Sequence, residues 1–492
     1  MKILLVYPET PTTFWTFKNA LRFIGKKSSE PPLGLITVAA LLPKDWELRL
    51  IDMNVARLHD SDLLWADYVF LSGMNIHFDS FKEITKRCKA LGTRMVAGGP
   101  MCTLDPDLFP EIDHLILNEA ELTLPLFLED LARGNPKRIY RSNEFPDLAL
   151  TPIPRWDLLD MKKYAAMDLQ YSRGCPFNCD FCSITLLNGH KPRTKETVQL
   201  LLELDTLYSL GWRGNVFFVD DNFIGNKNKL KQETLPALIE WTKIRKHPFA
   251  FMTEVSINLS DDDELIDLMV RAGFDSAFVG IETPNEQSLM ECGKHQNQRR
   301  DLLSSVKKLQ QRGIVVAGGF IVGFDNDTAS IFHQQLEFIQ KSGIVTAMVG
   351  LLNAQSGTRL FKRLKDENRI IDGFGGDNMD GTMNFIPRMN PMKLYKGYKE
   401  LLNKIYSPKE YYERVKTFLQ EYRLSKHNTS NLTRREIMAF FRSIWILGVI
   451  EKGKLYYWRL FFYSLFRYPK KFALAITMAI YGFHFRKVAE TI

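Results

Sequence analysis

The sequence predicts an α/β protein made of two parallel sheets in series, followed by a helical region. Three observations carry this. Short apolar runs rich in β-branched residues and leucine recur through residues 1–125 and again from 166 to 376, each separated from the next by a stretch of helical length. Small, flexible residues close several of these runs. Past about Asp377 the alternation stops, and a helical, basic, aromatic-rich pattern replaces it.

In the first series the strands fall at 2–7, 47–53, 68–72, 94–97 and 114–118, which describes a doubly wound, Rossmann-like domain over residues 1–125. Ligands of such sheets bind at the carboxyl ends of the strands. Those ends carry Ser72-Gly73-Met74 and Gly98-Gly99-Pro100. Glycines there either admit a large ligand close to the backbone or simply close a loop. Residues 126–165 form a connector interrupted by Pro136, Pro146, Pro152 and Pro154. The second series places strands at 167–171, 215–219, 250–256, 276–281, 315–322 and 345–352, with helices such as 194–210, 261–272 and 299–312 between them. Six such units describe a partial (β/α)6 barrel over 166–376, with its site at the C-terminal ends of the strands.

Residues 377–492 form a helical, basic C-terminal extension. From 393 onward there are 20 Lys/Arg against 7 Asp/Glu, whereas the preceding residues carry a net charge of −5. A mildly acidic body argues against a nucleic-acid surface. The run 472–485 is uncharged but shorter than the ~20 residues a membrane span needs. It reads as a buried core helix or as an interfacial helix between Lys471 and Arg486. The segment 454–467 has the same character, so the extension either packs on the body or makes peripheral contact with the inner face of a membrane. The N-terminus has one charge and an apolar run too short for a signal peptide, and six sparse cysteines suit a reducing compartment. A cytoplasmic location is expected.

The chemistry lies after the first barrel strand, in Tyr171-Ser-Arg-Gly-Cys175-Pro-Phe-Asn-Cys179-Asp-Phe-Cys182. Three thiols at C-x3-C-x2-C spacing can hold three corners of a cubane iron–sulfur cluster. Full ligation takes four, so one iron is left open for a substrate. A zinc site closed by His190 is the alternative, since structural zinc takes four ligands. Cys292 reads as a small core or loop residue.

With that loop in that place, nearly the whole chain resembles the radical S-adenosylmethionine (SAM) superfamily, down to the aromatic Phe181 before the last cysteine. The resemblance implies that Cys175, Cys179 and Cys182 bind a 4Fe-4S cluster whose open iron is chelated by SAM. It implies that Asp220 and Asp221 accept from the SAM ammonium, that Glu254, Ser256 and Glu282 contact its ribose, and that Gly319, Ile321 and Gly323 support its adenine. Each of these positions alone could equally be a helix cap or strand packing.

The N-terminal domain resembles the cobalamin-binding domain of one branch of that superfamily, through Pro31-Pro-Leu-Gly34-Leu35, Gly98-Gly99-Pro100 and Asn118-Glu119-Ala120-Glu121. This implies cobalamin contacts at Ser72, Gly73, Met74, Gly98, Gly99, Pro100 and Glu119. Two departures stand out: Asn-Glu-Ala-Glu replaces the usual Gly-Glu-Gly-Glu, and no D-x-H-x-x-G occurs to supply a histidine to cobalt. Gly189-His-Lys-Pro-Arg193-Thr-Lys195 and Asp220-Asp-Asn-Phe-Ile-Gly225-Asn resemble the hopanoid methylase branch.

The implied activity is methylation of an unactivated carbon through a 5′-deoxyadenosyl radical and methylcobalamin. The implied substrate is a small molecule, polycyclic lipids included, and the implied electron donor is of the flavodoxin or ferredoxin kind. No side-chain base can remove a hydrogen from such a carbon, so cofactors carry the hard step, and no acid or base is assigned. A radical cyclase or oxidative enzyme using cobalamin without methyl transfer is the rival enzyme. A cluster-bearing sensor or lipid-binding protein is the non-enzymatic rival. Methylthio transfer would need three more cluster cysteines near the N-terminus, where only Cys88 and Cys102 occur.

Overall fold

The structure, a computed structural model, describes residues 1–371, 381–424 and 434–492. The boundary expected at 376–377 lies outside the described residues.

The first sheet contains β1 (Lys2–Tyr7), β2 (Glu47–Asp52), β3 (Tyr68–Ser72), β4 (Arg94–Gly98), β5 (His114–Ile116) and β6 (Ile139–Tyr140). All pairs are parallel, in the order β2-β1-β3-β4-β5-β6. The order reverses beside β1, and a crevice at the carboxyl ends of β1 and β3 is where doubly wound sheets take ligands. Helices bury both faces of the sheet in two separate apolar clusters.

The second sheet is built from β7 (Ala166–Leu169), then β10 (Gly214–Phe218), β11 (Phe249–Val255), β12 (Phe274–Glu282), β13 (Val315–Val322) and β14 (Ala347–Leu351). These six pair in sequence order, all parallel, leaving β7 and β14 as open edges. This is the expected partial barrel. Its strands alternate: on β11, Phe249, Phe251, Thr253 and Val255 are buried against the helices, while Ala250, Met252 and Glu254 face the lumen. Strand β7 stops two residues earlier than the apolar run predicts. The Asp220 carboxylate takes the N–H groups of Tyr171 and Ser172 and turns the chain into the cysteine loop. A short antiparallel ribbon, β8 (Ser172–Arg173) with β9 (Arg193–Thr194), pins both ends of that loop.

Residues 13–36, between β1 and β2, leave their own domain. Phe14, Ala20, Phe23 and Ile36 belong to the large core shared by the barrel and the C-terminal helices. Here α1 (Lys18–Ile24) packs beside the helices that follow the barrel. Those helices are α2 (Pro391–Ile405), α3 (Pro408–Glu421), α4 (Arg434–Trp445), α5 (Lys454–Arg467) and α6 (Phe472–Ala489). Tyr398 and Tyr406 donate their hydroxyls to the carbonyls of Val349 and Ala347, so this layer satisfies the outer edge of β14. The two apolar C-terminal segments part ways. Helix α6 carries no charge before Arg486 and is largely buried, as such helices are, whereas α4 and α5 keep a face on the surface. Among the described residues, no helix is long and apolar enough to cross a membrane.

Candidate functional site

Gly174 opens the cysteine loop at φ +94°, where a Cβ would lie 2.9 Å from the carbonyls of Asn188 and Lys191. Only glycine fits that turn. Asp221 Oδ2 accepts from Gly174 N at 2.9 Å and from Asn188 Nδ2 at 2.9 Å. Asp220 is 1 % exposed, and both of its oxygens are taken by Tyr171 and Ser172. Burial raises both carboxyls, Asp220 to about 7. The pair therefore braces the turn into the loop, with both Asp220 oxygens engaged by Tyr171 and Ser172.

All six cysteines are free; Cys175, Cys179 and Cys182 are partly exposed, while Cys88, Cys102 and Cys292 are buried. Among the described residues no three His, Cys, Asp or Glu side chains converge on a single ion, and His190 is exposed on the loop. Burial pushes the three thiols up, Cys182 to about 12, and the Lys294 ammonium opposes it at all three. Burial would discharge Lys294, but Glu282, with Oε1 2.5 Å from Nζ, and the nearby thiols outweigh it and hold it charged.

The lumen above the loop has an apolar wall and a set of carboxyls. The Trp15 ring, from the loop before α1, lies 4.7 Å from Phe278 on β12. Phe278 in turn fills the space over Gly319, where a Cβ would meet its ring at 2.6 Å. Ile321 and Phe181 share one apolar cluster with Phe324 and Cys292. Gly323 turns away at φ +108° and donates its N–H to Asp327. Glu254 is raised to about 8, first by burial and then by Asp221 and Glu30. Asp168 on β7 is also raised by burial and by Glu30, and its Oδ1 is buried without a hydrogen-bond partner. Ser256 donates its N–H to Asn222 Oδ1. Both residues line a cavity of about 290 Å³ beside Pro176 and Phe177 of the cysteine loop.

On the N-terminal domain, the strands approach one another so closely at their carboxyl ends that side chains are excluded. A Cβ on Gly98 would lie 2.6 Å from Ile116 O, and one on Gly99 (φ +90°) would lie 2.6 Å from Ser72 Oγ. Met74, 49 % exposed, and Pro100 complete this flat rim, while Gly73 is buried beneath it. His77 is 1 % exposed and sequestered. Its Nδ1 accepts from Met74 N–H, so Nε2–H donates to Thr10 Oγ1 at 2.9 Å. Burial lowers it to about 4, which keeps it neutral. Close strand packing thus requires glycine at Gly98 and Gly99, and both ring nitrogens of the buried His77 are already taken within the domain.

Glu119, at the end of the first sheet, is engaged by two arginines. Arg173 and Arg193 clasp it, with Nη1–Oε2 at 2.6 Å and Nη2–Oε1 at 2.5 Å. Arg173 also grips Glu121 at 2.8 Å, and Thr151 Oγ1 donates to the same Glu121 oxygen. This buried cluster ties the end of the first sheet to the residue two before Cys175. Sequence reasoning missed Arg173, Lys294, Asp168, Glu30 and Trp15. The one local hint was an arginine beside the Gly-Cys turn.

Fold and site together define a radical SAM barrel that carries a cobalamin-binding domain. A model of the radical SAM superfamily matches residues 169–339, a B12-binding-domain model matches 26–128, and a domain of unknown function (DUF4070) matches 358–492. An uncharacterized methyltransferase of Synechocystis is 42 % identical, covering 100 % of this chain and 92 % of that protein. The hopanoid C-2 methylase of Rhodopseudomonas palustris is 32 % identical over 93 % of this chain and 88 % of its own length. The solved cobalamin-dependent SAM radical enzyme OxsB shares the fold, with TM-score 0.62 and 17 % identity over 99 % of this chain and 80 % of that one. The chain belongs to the cobalamin-dependent radical SAM methyltransferase family. Its cofactors are a 4Fe-4S cluster, SAM and cobalamin.

Proposed function

We propose that this enzyme methylates an unactivated carbon of a largely apolar, polycyclic lipid-like substrate held in the barrel lumen. The observation that carries the substrate class is the wall formed by Trp15 and Phe278, where an indole from the N-terminal domain reaches across to the barrel. The relation to a hopanoid C-2 methylase supports it. Bound together, the cluster and SAM supply hydrogen abstraction, and cobalamin supplies the methyl group.

The chain's own residues prepare the chamber. Cys175, Cys179 and Cys182 hold the cluster, and Lys294 offsets the cost of burying three thiolates. Glu254, Ser256 and Glu282 are the groups for the SAM ribose, because carboxyl and hydroxyl oxygens can accept from the O–H groups of a diol. Phe181 and Ile321 form the apolar side for adenine. Asp220 and Asp221 brace the loop. Ser72 and the turns at Gly73, Met74, Gly98, Gly99 and Pro100 seat cobalamin, while Glu119 acts through the arginine clasp. Residues 1–125, 166–376 and 377–492 serve as the cofactor, barrel and helical units, with 126–165 linking the first two. A flavodoxin or ferredoxin would deliver the electron.

Lipid extracts of cells with and without the protein test the substrate class. A product heavier by one methylene on a polycyclic lipid is expected, and a methylene gain confined to polar metabolites would overturn it. Anaerobic reconstitution of the Cys175→Ala/Cys179→Ala/Cys182→Ala variant tests the cluster. The variant should bind no iron and cleave no SAM, and retained cleavage would refute the assignment. Gly99→Ala should lose cobalamin on gel filtration. Gly34→Ala, where a Cβ meets nothing within 4 Å, should retain it.

A further inference from the structure

Helices α4 and α5 present an apolar face that nothing in the described structure covers. Phe441 and Trp445 on α4 are 64 % and 60 % exposed, and Leu455, Phe462 and Phe466 on α5 are 69 %, 49 % and 78 % exposed. Their spacing puts each set on one side of its helix. Ile450, 61 % exposed, continues the patch between the helices. The opposite sides, with Ala439 and Ser443 on α4 and Tyr457, Leu460 and Ser464 on α5, are buried and pack on α1, α3 and α6. Single exposed apolar residues are ordinary, but a contiguous patch of this kind marks a contact surface.

The surrounding charge selects the partner. Residues 434–471 contain nine Lys/Arg and two Asp/Glu. Arg434, Arg435, Lys452, Lys454, Arg459 and Arg467 are exposed around the apolar face. A second copy would bring the same cationic rim against itself. Anionic headgroups would neutralise it while the aromatic side chains entered the interface. No described helix is long and apolar enough to span, so the contact is with one leaflet.

We propose that the α4–α5 face docks the enzyme on an anionic lipid bilayer. This deepens the lipid-substrate reading and rests on it for what the surface serves. The link to the reaction chamber is short. Arg442 Nη1 on α4 donates to the carbonyls of Arg22 and Phe23 on α1, and the loop before α1 carries Trp15 into the lumen wall. The docking face and the substrate wall are thus two ends of one packed unit.

Flotation of the full-length holoenzyme with vesicles tests the surface. With equal parts phosphatidylglycerol and phosphatidylcholine the protein should float, and with phosphatidylcholine alone it should float far less. F441D/F466D, which replaces two outward side chains, should keep its iron and cobalamin and lose more than about tenfold in vesicle partition. R434Q/R435Q/K454Q should lose about fivefold per charge removed. Wild-type protein that stays unbound with both vesicle types overturns the proposal. So does a solution dimer split by F441D/F466D without any flotation. Methylation of detergent-dispersed lipid is a separate readout: its absence from protein that floats counts against the reaction, not against the docking face.

Discussion

Two of the contacts that tie the cofactor domain to the rest of the chain, one on the barrel's cysteine loop and one on the C-terminal helices, are built from opposite chemistry. At the cysteine loop the contact is ionic, with Arg173 and Arg193 against Glu119 and Glu121, all nearly buried. On the far side it is aromatic. Phe14 lies 5.5 Å from Tyr406 and 5.4 Å from Phe485, and Phe17 packs on Tyr481 and His484. Aromatic burial is strong but only loosely directional. Paired guanidinium and carboxylate forks act only at fixed atoms, and their desolvation offsets much of their attraction. The seam therefore holds the domains together, and the clasp sets where the cysteine loop sits relative to the cofactor cradle.

The largest effect should come from Arg173→Ala. It leaves buried Glu121 without its cation and Glu119 with Arg193 alone, so stability should fall by about 3–5 kcal/mol in denaturant titrations. Methylation per folded molecule should fall about a hundredfold, the effect of a misplaced reacting geometry. Phe14→Ala should cost a similar ~3–5 kcal/mol by cavity formation, with turnover per folded molecule within a few-fold of wild type. If the two variants lose turnover equally, the division of labour fails. R173M/E121L sharpens the point, because replacing a buried pair by apolar groups often restores stability. Unfolding midpoints should recover by at least about 1 kcal/mol over Arg173→Ala, while methylation stays low.

The smallest effect concerns the chamber between the contacts. Glu254, raised to about 8 mainly by burial, keeps in the folded apoprotein a proton that the unfolded chain releases above its ordinary range near 4.5. Stability therefore falls as pH rises from that range through 8. Glu254→Gln removes this slope. Apoprotein melting temperatures should match near pH 5, and the variant should melt roughly 1–3 °C higher at pH 8.

The strands were legible because their signal is local. Lys2–Tyr7, Tyr68–Ser72 and Val315–Val322 form where the apolar runs predict them. The cysteine loop was legible for the same reason, its three candidate ligands lying within eight residues. Contacts that close over distance were not. Glu119 stands at a strand end, where a ligand contact is expected, but its partners lie 54 and 74 residues away. Nothing near it announces an arginine clasp. Asp220 and Asp221 have the chemistry of ammonium acceptors, yet the backbone N–H groups that claim them belong to a turn set by tertiary geometry. The patch on α4 is interrupted in sequence by Arg442, which turns inward to cap α1 and leaves Phe441 and Trp445 outside.

The excursion of residues 13–36 has a consequence for how the chain is made. Phe14 O and the Asn19 amide meet the His484 ring across 470 and 465 residues of sequence. Closing so long a loop is slow compared with local folding. During synthesis, the first sheet can assemble long before α6 leaves the ribosome. Phe14, Phe17 and Phe23 then wait, unburied, for a helix not yet translated. Such a chain spends most of its elongation with an aromatic strip bare, the condition under which nascent proteins aggregate or recruit chaperones.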